Sequence, residues 1–359
     1  MVKIDFVLLF LTICLSLLSL INFFSVSYYL SLKLFNNPFY YFWQFLVKIT
    51  LLGFLFYFIG FNIAKKFISY KKIFILITFF LYFLIILAFL PPFRLENATA
   101  ARWLDLKFIT LQPSELIKPF AIIFLIFLFS LNNKFSIYQK IILFFLTIII
   151  LITPIFLQPS FSNVLIIFST LFIVFLIYLK NFKEFFISLL FALIFILILI
   201  LLASFWGYRK ERLLSFLSGG IFHQEKYFQL EQSLIAVSSG GLFGKGLGNS
   251  EIKIIGLPQM LTDNIFSIFA EENGFIGVVF ILLLFYFLIL KIILIGIQSN
   301  DWRKPFAFGV SLWLLLQTFL HIASNIGLFV PTGVILPFFS YGASGQIAIY
   351  FSLGLLSRK

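Results

Sequence analysis

The sequence predicts an all-α polytopic membrane protein of ten transmembrane helices. One large extracytoplasmic loop, at about residues 206–263, separates helices 7 and 8. Three observations predict this. The 359 residues are 62% hydrophobic and 11% charged with a mean hydropathy of +1.13, and a soluble chain of this size has no interior able to hide so much apolar surface. The apolar residues gather in runs of about 20, the length that carries a helix across about 30 Å of hydrocarbon. Lysine and arginine alternate in density from one loop to the next.

In order, the runs are 6–26, 39–61, 73–90, 115–130, 141–157, 161–179, 185–205, 275–295, 306–328 and 336–356. Each is expected to be helical, because a segment in lipid must satisfy its own backbone hydrogen bonds. The run at 6–26 is too long for a signal-peptide core and lacks a small-residue cleavage site, so it reads as a retained first span. Short loops carrying Lys65, Lys66, Lys71 and Lys72, then Lys180 and Lys183, then Arg303 and Lys304, face the cytoplasm by the positive-inside rule. That places both termini inside, the 206–263 loop outside, and the chain in the cytoplasmic (inner) membrane. The formal charge of +13 then belongs to cytoplasmic loops and anionic headgroups rather than to nucleic acid, and the 55 Phe residues suit lipid-facing helices. A single cysteine, Cys14, excludes an intramolecular disulfide and a cysteine metal cluster. No repeat or low-complexity linker divides residues 1–359, which read as a single domain.

Two segments break the lipid pattern on the outer side, 91–114 and 206–263. The second leads into the stretch 232–277, where glycines, polar residues and carboxylates replace apolar ones. Its GGLFGKGLG run matches no phosphate-binding loop and reads as a flexible loop. Glu271 and Glu272 read either as a solvated helix start or as part of a site. Glu115 and Lys118 stand one helical turn apart at the start of the fourth span, so they are able to pair on one face. Pro113 suits a helix start, and Ser114 is the expected N-cap. Lys48, inside the second span, lines the same polar cavity or pairs with a neighbour. His223 and His321 lack metal-ligand spacing, and His321 reads as an interhelical polar group.

Four ordered segments carry a family resemblance. They are ARWLDLKFITLQPSELIKP at 101–119, YRKERLLSFLSG at 208–219, the run from QSLIAVSSGG through TDNIFSIFAEENGFIG at 232–277, and LPFFSYGASG at 336–345. Together the chain resembles the SEDS family (shape, elongation, division and sporulation), which includes RodA, FtsW and SpoVE, and it leans toward FtsW. The resemblance implies a peptidoglycan glycosyltransferase that polymerises lipid II beside a class B penicillin-binding protein and other divisome or elongasome membrane proteins. It implies Asp263 as the essential acid. Glu115, Lys118, Arg102 and Gln112 fall on its cavity motif, and Ser239, Gly240 and Gly241 on its SGG turn; with Lys48 these are the expected substrate-binding residues. The chain departs from the family pattern at Ser160, Gln259, Leu261, Asn264 and Ala343, and three of these lie within six residues of Asp263.

The implied reaction joins a sugar hydroxyl to an anomeric carbon carrying pyrophosphate. One inverting displacement suffices, with Asp263 as general base. Charge on the leaving pyrophosphate calls for Lys118, Arg102, the Arg209–Arg212 cluster, or a divalent cation, Mg2+ or Mn2+. A lipid II flippase and a non-catalytic scaffold that activates the transpeptidase are the competing readings.

Overall fold

The structure is a computed structural model that describes residues 4–90, 102–105, 110–130, 135–158, 160–179, 181–204 and 224–358. It is an all-α polytopic architecture. Among the described residues, seven helices are long and apolar enough to cross a membrane. Helix α1 is Phe6–Phe35. The second crossing combines α2 (Tyr40–Phe45), a π-helical turn (Leu46–Leu51) and α3 (Leu52–Ile63), closed by a short 3-10 turn to Lys66. Then come α4 (Lys71–Leu87), α5 (Pro113–Ser130), α6 (Ile137–Leu157), α7 (Phe161–Leu176) and α8 (Phe182–Ser204). Two shorter helices, α9 (Gln224–Ser239) and α10 (Ile252–Ile255), lie within the expected outer loop. The chain ends with α11 (Ile265–Gln298), α12 (Arg303–Asn325) and α13 (Ala343–Leu356). Among the described residues each expected span overlaps a helix, but of the tenth, 336–356, only Ala343–Leu356 is helical. However, α4, α7 and α13 have only 17, 16 and 14 residues, and at about 1.5 Å per residue each is shorter than a hydrocarbon core of about 30 Å, α13 by the most.

The sequence explains the helix ends. Asp5 accepts a hydrogen bond from the Leu8 amide at 3.1 Å and caps α1, and Asn36 stops that helix in the left-handed conformation. Ser136 and Gln139 form a capping box at α6. Helix α5 starts on Pro113, as expected. Ser114 is not its cap: it lies inside the helix, fully buried, with no hydrogen bond to its hydroxyl, because the proline takes the first helical position. The only strands among the described residues are a two-residue antiparallel pair, β1 (Leu104–Asp105) and β2 (Thr110–Leu111), just before α5.

The chain forms two compact units, interleaved along the sequence. The first comprises residues 1–66, 215–294 and 314–359. In it α13 packs along α3, and glycines permit the close approach. Gly53 lies under the Tyr350 ring, Gly60 lies against the Phe351 carbonyl, and Gly354 lies against the Tyr57 carbonyl. The Ser16 and Tyr350 hydroxyls bond at 2.5 Å. Asp5 also pairs with Lys291 at 2.8 Å, and its amide donates to the Ser357 carbonyl at 2.7 Å, so residues 4–5 and 357–358 are bonded together. The second unit comprises residues 67–214 and 295–313. There α5 packs on α4 and α7, α6 packs on α7, and Phe67 stacks on Trp302.

Helix α11 is broken once. Gly274 adopts φ 63°, ψ −169°, a conformation essentially restricted to glycine. The carbonyls of Glu271 and Glu272 thereby lose the Phe275 and Ile276 amides that a continuous helix would give them. The 240–246 segment fills the gap. Its Lys245 and Gly246 amides donate to the Glu271 and Glu272 carbonyls at 2.9 and 3.0 Å. Its Gly241 and Leu242 carbonyls accept from Phe275 and Ile276 at 2.9 and 3.1 Å. The expectation of a flexible glycine loop is therefore corrected: its left-handed glycines shape it to fit a helix break. Gly244 (φ 80°) lies so close to the Glu272 carbonyl that no Cβ fits.

Candidate functional site

In the first unit, Asp263 ends the turn that leads into α11. The turn is built on Gln259, whose φ of 56° directs its carbonyl at the amides of Thr262, Asp263 and Asn264, 3.0–3.2 Å away. The carbonyls of residues 261–263 are each taken by a residue far along the chain. Tyr341 donates its amide to Leu261 at 2.8 Å, Ser340 its hydroxyl to Thr262 at 2.7 Å, and Asn325 its side-chain amide to Asp263 at 2.8 Å. Asn325 is held in turn by the Ser267 hydroxyl at 2.6 Å. The backbone of Asp263 is thus fixed, while its side chain is half-buried. The departures from the family pattern are absorbed structurally. Asn264 bonds the Pro258 carbonyl at 2.7 Å and the Ser233 hydroxyl at 3.2 Å, joining the turn to α9. Ser340, Tyr341 and Asn325 were not singled out by sequence reasoning, although the LPFFSYGASG motif contains two of them.

Ser239 donates to the Ala236 carbonyl at 3.0 Å and lies 3.4 Å from a Glu271 oxygen. Gly240 packs against the Ala270 carbonyl, and Gly241 belongs to the segment that fills the helix break. Glu271 and Glu272 are not a solvated helix start. Both are fully buried inside α11, which begins ten residues before the span expected from hydropathy. Each is ion-paired: Lys245 lies 2.9 Å from Glu271, and Lys253 2.7 Å from Glu272. Bonding to Glu271 raises the Lys245 pKa above the usual lysine range. The pair's contribution is therefore complete below the ordinary lysine value and is lost as pH rises through the raised one. Lys48 is half-buried in the π-helical turn and donates to Gln44 at 3.1 Å. Gln44 accepts as well from the Tyr341 hydroxyl at 2.8 Å. Lys48 is thus linked through Gln44 to the residue that holds the Leu261 carbonyl.

In the second unit, Lys118 bonds both Glu115 oxygens, at 2.8 and 2.7 Å, with both side chains almost fully buried. The bidentate contact offsets part of the cost of taking two charges out of water. The Lys118 ammonium lies 5.6 Å from the Trp313 ring centroid, over its face. Gln112 is buried just before α5, and its carbonyl accepts the Glu115 amide at 3.0 Å. Half-buried Arg102 donates Nε to the Gln158 carbonyl at 2.9 Å, and Gln158 donates to the Ile85 carbonyl at 3.1 Å. Ser160 is buried and starts α7 without capping it. His321, in the first unit, shares a hydrogen bond with the Val334 carbonyl at 2.7 Å, as suits an interhelical polar group. The 208–219 motif, with Arg209 and Arg212, and His223 lie outside the described residues.

The cell cycle protein family model of FtsW, RodA and SpoVE matches residues 6–358. The chain belongs to this SEDS family. A SEDS relative from Wigglesworthia glossinidia brevipalpis, named "Probable peptidoglycan glycosyltransferase FtsW", is 36% identical over 99% of this chain and 93% of its own. A relative of the same name from Coxiella burnetii is 33% identical over 97% and 93%. Among solved structures, the fold is similar to a chain of "Structural coordination of polymerization and crosslinking by a peptidoglycan synthase complex". That match has a TM-score of 0.74 and 21% identity over 98% of this chain and 96% of that one. It is also similar to the rod shape determining protein RodA of Thermus thermophilus, with a TM-score of 0.67 and 22% identity over 99% and 95%.

Proposed function

We propose that this SEDS chain is a peptidoglycan glycosyltransferase that polymerises lipid II at the outer face of the cytoplasmic membrane. The observation that carries the reading is Asp263, a carboxylate at the family's acid position whose backbone is held at three consecutive carbonyls while its side chain stays half-buried. Full-length relatives bearing the glycosyltransferase name support it. In the proposed reaction an acceptor hydroxyl attacks the anomeric carbon of the donor. Asp263 takes the hydroxyl proton, the new C–O bond forms, and the bond to pyrophosphate breaks with inversion. Lys118, Arg102 and Lys48 belong to the proposed substrate-binding residues, with Glu115, Gln112, Ser239, Gly240 and Gly241. A divalent cation, Mg2+ or Mn2+, stays in the proposal as the alternative to these cations beside the leaving pyrophosphate.

The finer topology is part of the proposal: ten spans, both termini cytoplasmic, and the 206–263 loop outside. The proposed partner is a class B penicillin-binding protein, within a division or elongation assembly. The fold similarity to a peptidoglycan synthase complex supports it. The test is polymerisation of fluorescent lipid II by the purified chain with that partner, read as a ladder of glycan strands. The ladder is expected with the wild-type chain and lost with Asp263→Asn. A ladder of equal strength from Asp263→Asn overturns the reading, and lipid scrambling without any ladder turns it toward a flippase.

A further inference from the structure

We propose that Glu271 and Glu272 are positioning residues of the Asp263 site, acting as twin anchors that lock the 239–253 segment into the break of α11. The inference rests on the polymerase reading of Asp263 and adds to it the device that holds that residue in place.

The two carboxylates are adjacent and fully buried, and each accepts from at least one donor of the 239–253 segment. Glu271 receives the Lys245 ammonium at 2.9 Å, the Glu251 amide at 3.1 Å and a short hydrogen bond from the Ser250 hydroxyl, with Ser239 at 3.4 Å. Glu272 receives the Lys253 ammonium at 2.7 Å and the Ser25 hydroxyl at 2.6 Å. Ser25, on α1, accepts from the Gly248 amide at 3.0 Å. One carboxylate therefore gathers the loop, and the other joins the loop to α1.

The side-chain anchors act on the same residues as the backbone insertion. Glu271 and Glu272 are the positions whose carbonyls receive the Lys245 and Gly246 amides. Main chain and side chain at one helix break thus hold one loop. A buried carboxylate stripped of its cation is costly, so the pairs favour the docked loop over an open one.

The placement reaches Asp263 through the chain. Lys253 and Glu272 are ion-paired, and Asp263 lies ten residues after the first and nine before the second. The pair closes a loop with Asp263 midway along it. From Asp263 to Glu271 the path is two turns of helix, a stiff arm. Opening the anchor frees the other arm and lets the carboxylate drift from the acceptor hydroxyl, and a displacement near 1 Å costs about a hundredfold in rate.

The test combines amide exchange with kinetics on the full chain in detergent. Exchange of the Lys245, Gly246, Phe275 and Ile276 amides is expected to rise about tenfold or more in Glu272→Gln and in Lys253→Met. Lys253→Arg, which keeps the cation, is expected to retain protection. With the partner present, kcat of Glu272→Gln for lipid II is expected to fall about a hundredfold, the loss that a displaced base produces, and KM is expected to rise with it because the same segment carries Ser239, Gly240 and Gly241, while Lys253→Arg is expected to keep both near the wild-type values. Should the glutamine variant fold poorly, the swap Lys253→Glu with Glu272→Lys is expected to restore protection. Unchanged exchange in Glu272→Gln and Lys253→Met overturns the inference, as does a kcat loss without increased exchange. A wild-type chain that makes no glycan sinks the polymerase reading instead, and the exchange arm still decides the anchor.

Discussion

Asp263 lies half-buried in a turn whose neighbouring carbonyls are held by Tyr341, Ser340 and Asn325. A positioned general base is worth about 10²–10⁴-fold in rate. Asp263→Asn is therefore expected to lower glycan polymerisation by at least about a hundredfold in the lipid II assay, while the backbone bonds that hold the turn, none of which uses the carboxylate, stay in place. Lys118 and Glu115 predict the opposite balance. Both are almost fully buried and bonded to each other, so Lys118→Met strands a carboxylate and should cost about 3–5 kcal/mol. Lys118→Met with Glu115→Gln should recover most of that loss in denaturant unfolding in detergent. If the double variant is no more stable than Lys118→Met, the pair is not what holds α5.

At the scale of elements, the break in α11 and the segment inserted there are a single piece of structure. Gly274 supplies the backbone conformation, and any Cβ there meets the Gly244 amide and the Leu242 carbonyl. Gly274→Ala should cost about 1–3 kcal/mol and loosen the loop. Cleavage by chymotrypsin after exposed Phe243 should accelerate in that variant and stay slow in the wild type. The insertion also explains why hydropathy misplaced the start of this helix. Residues 265–273 are helical because their polar side chains find buried partners, a property that a window of apolar residues does not register.

At the scale of the molecule, the proposed topology makes opposite predictions for two exposed positions. In a Cys14→Ser background, Phe243→Cys should react with an impermeant thiol reagent from outside intact spheroplasts. Lys66→Cys should react only after permeabilisation, because the loop near Lys71 and Lys72 is assigned to the cytoplasm. The reverse pattern would invert the chain and remove Asp263 from the face where polymerisation is proposed.

The sequence by itself determined the all-α membrane class, the helical stretches, the two breaks in the lipid pattern and the motif that carries Asp263. These are local properties: run length, charge density and short spacing. It also placed Glu115 and Lys118 on one face, since three residues on a helix meet without help from the rest of the fold. Only the tertiary structure decided that Glu271 and Glu272 are buried ion pairs, that the glycine run is a fitted insert, and that Asn325, Ser340 and Tyr341 hold the turn at Asp263. Those partners lie about 20 to 80 residues away, and which distant donor meets which carbonyl is set by packing, not by pattern.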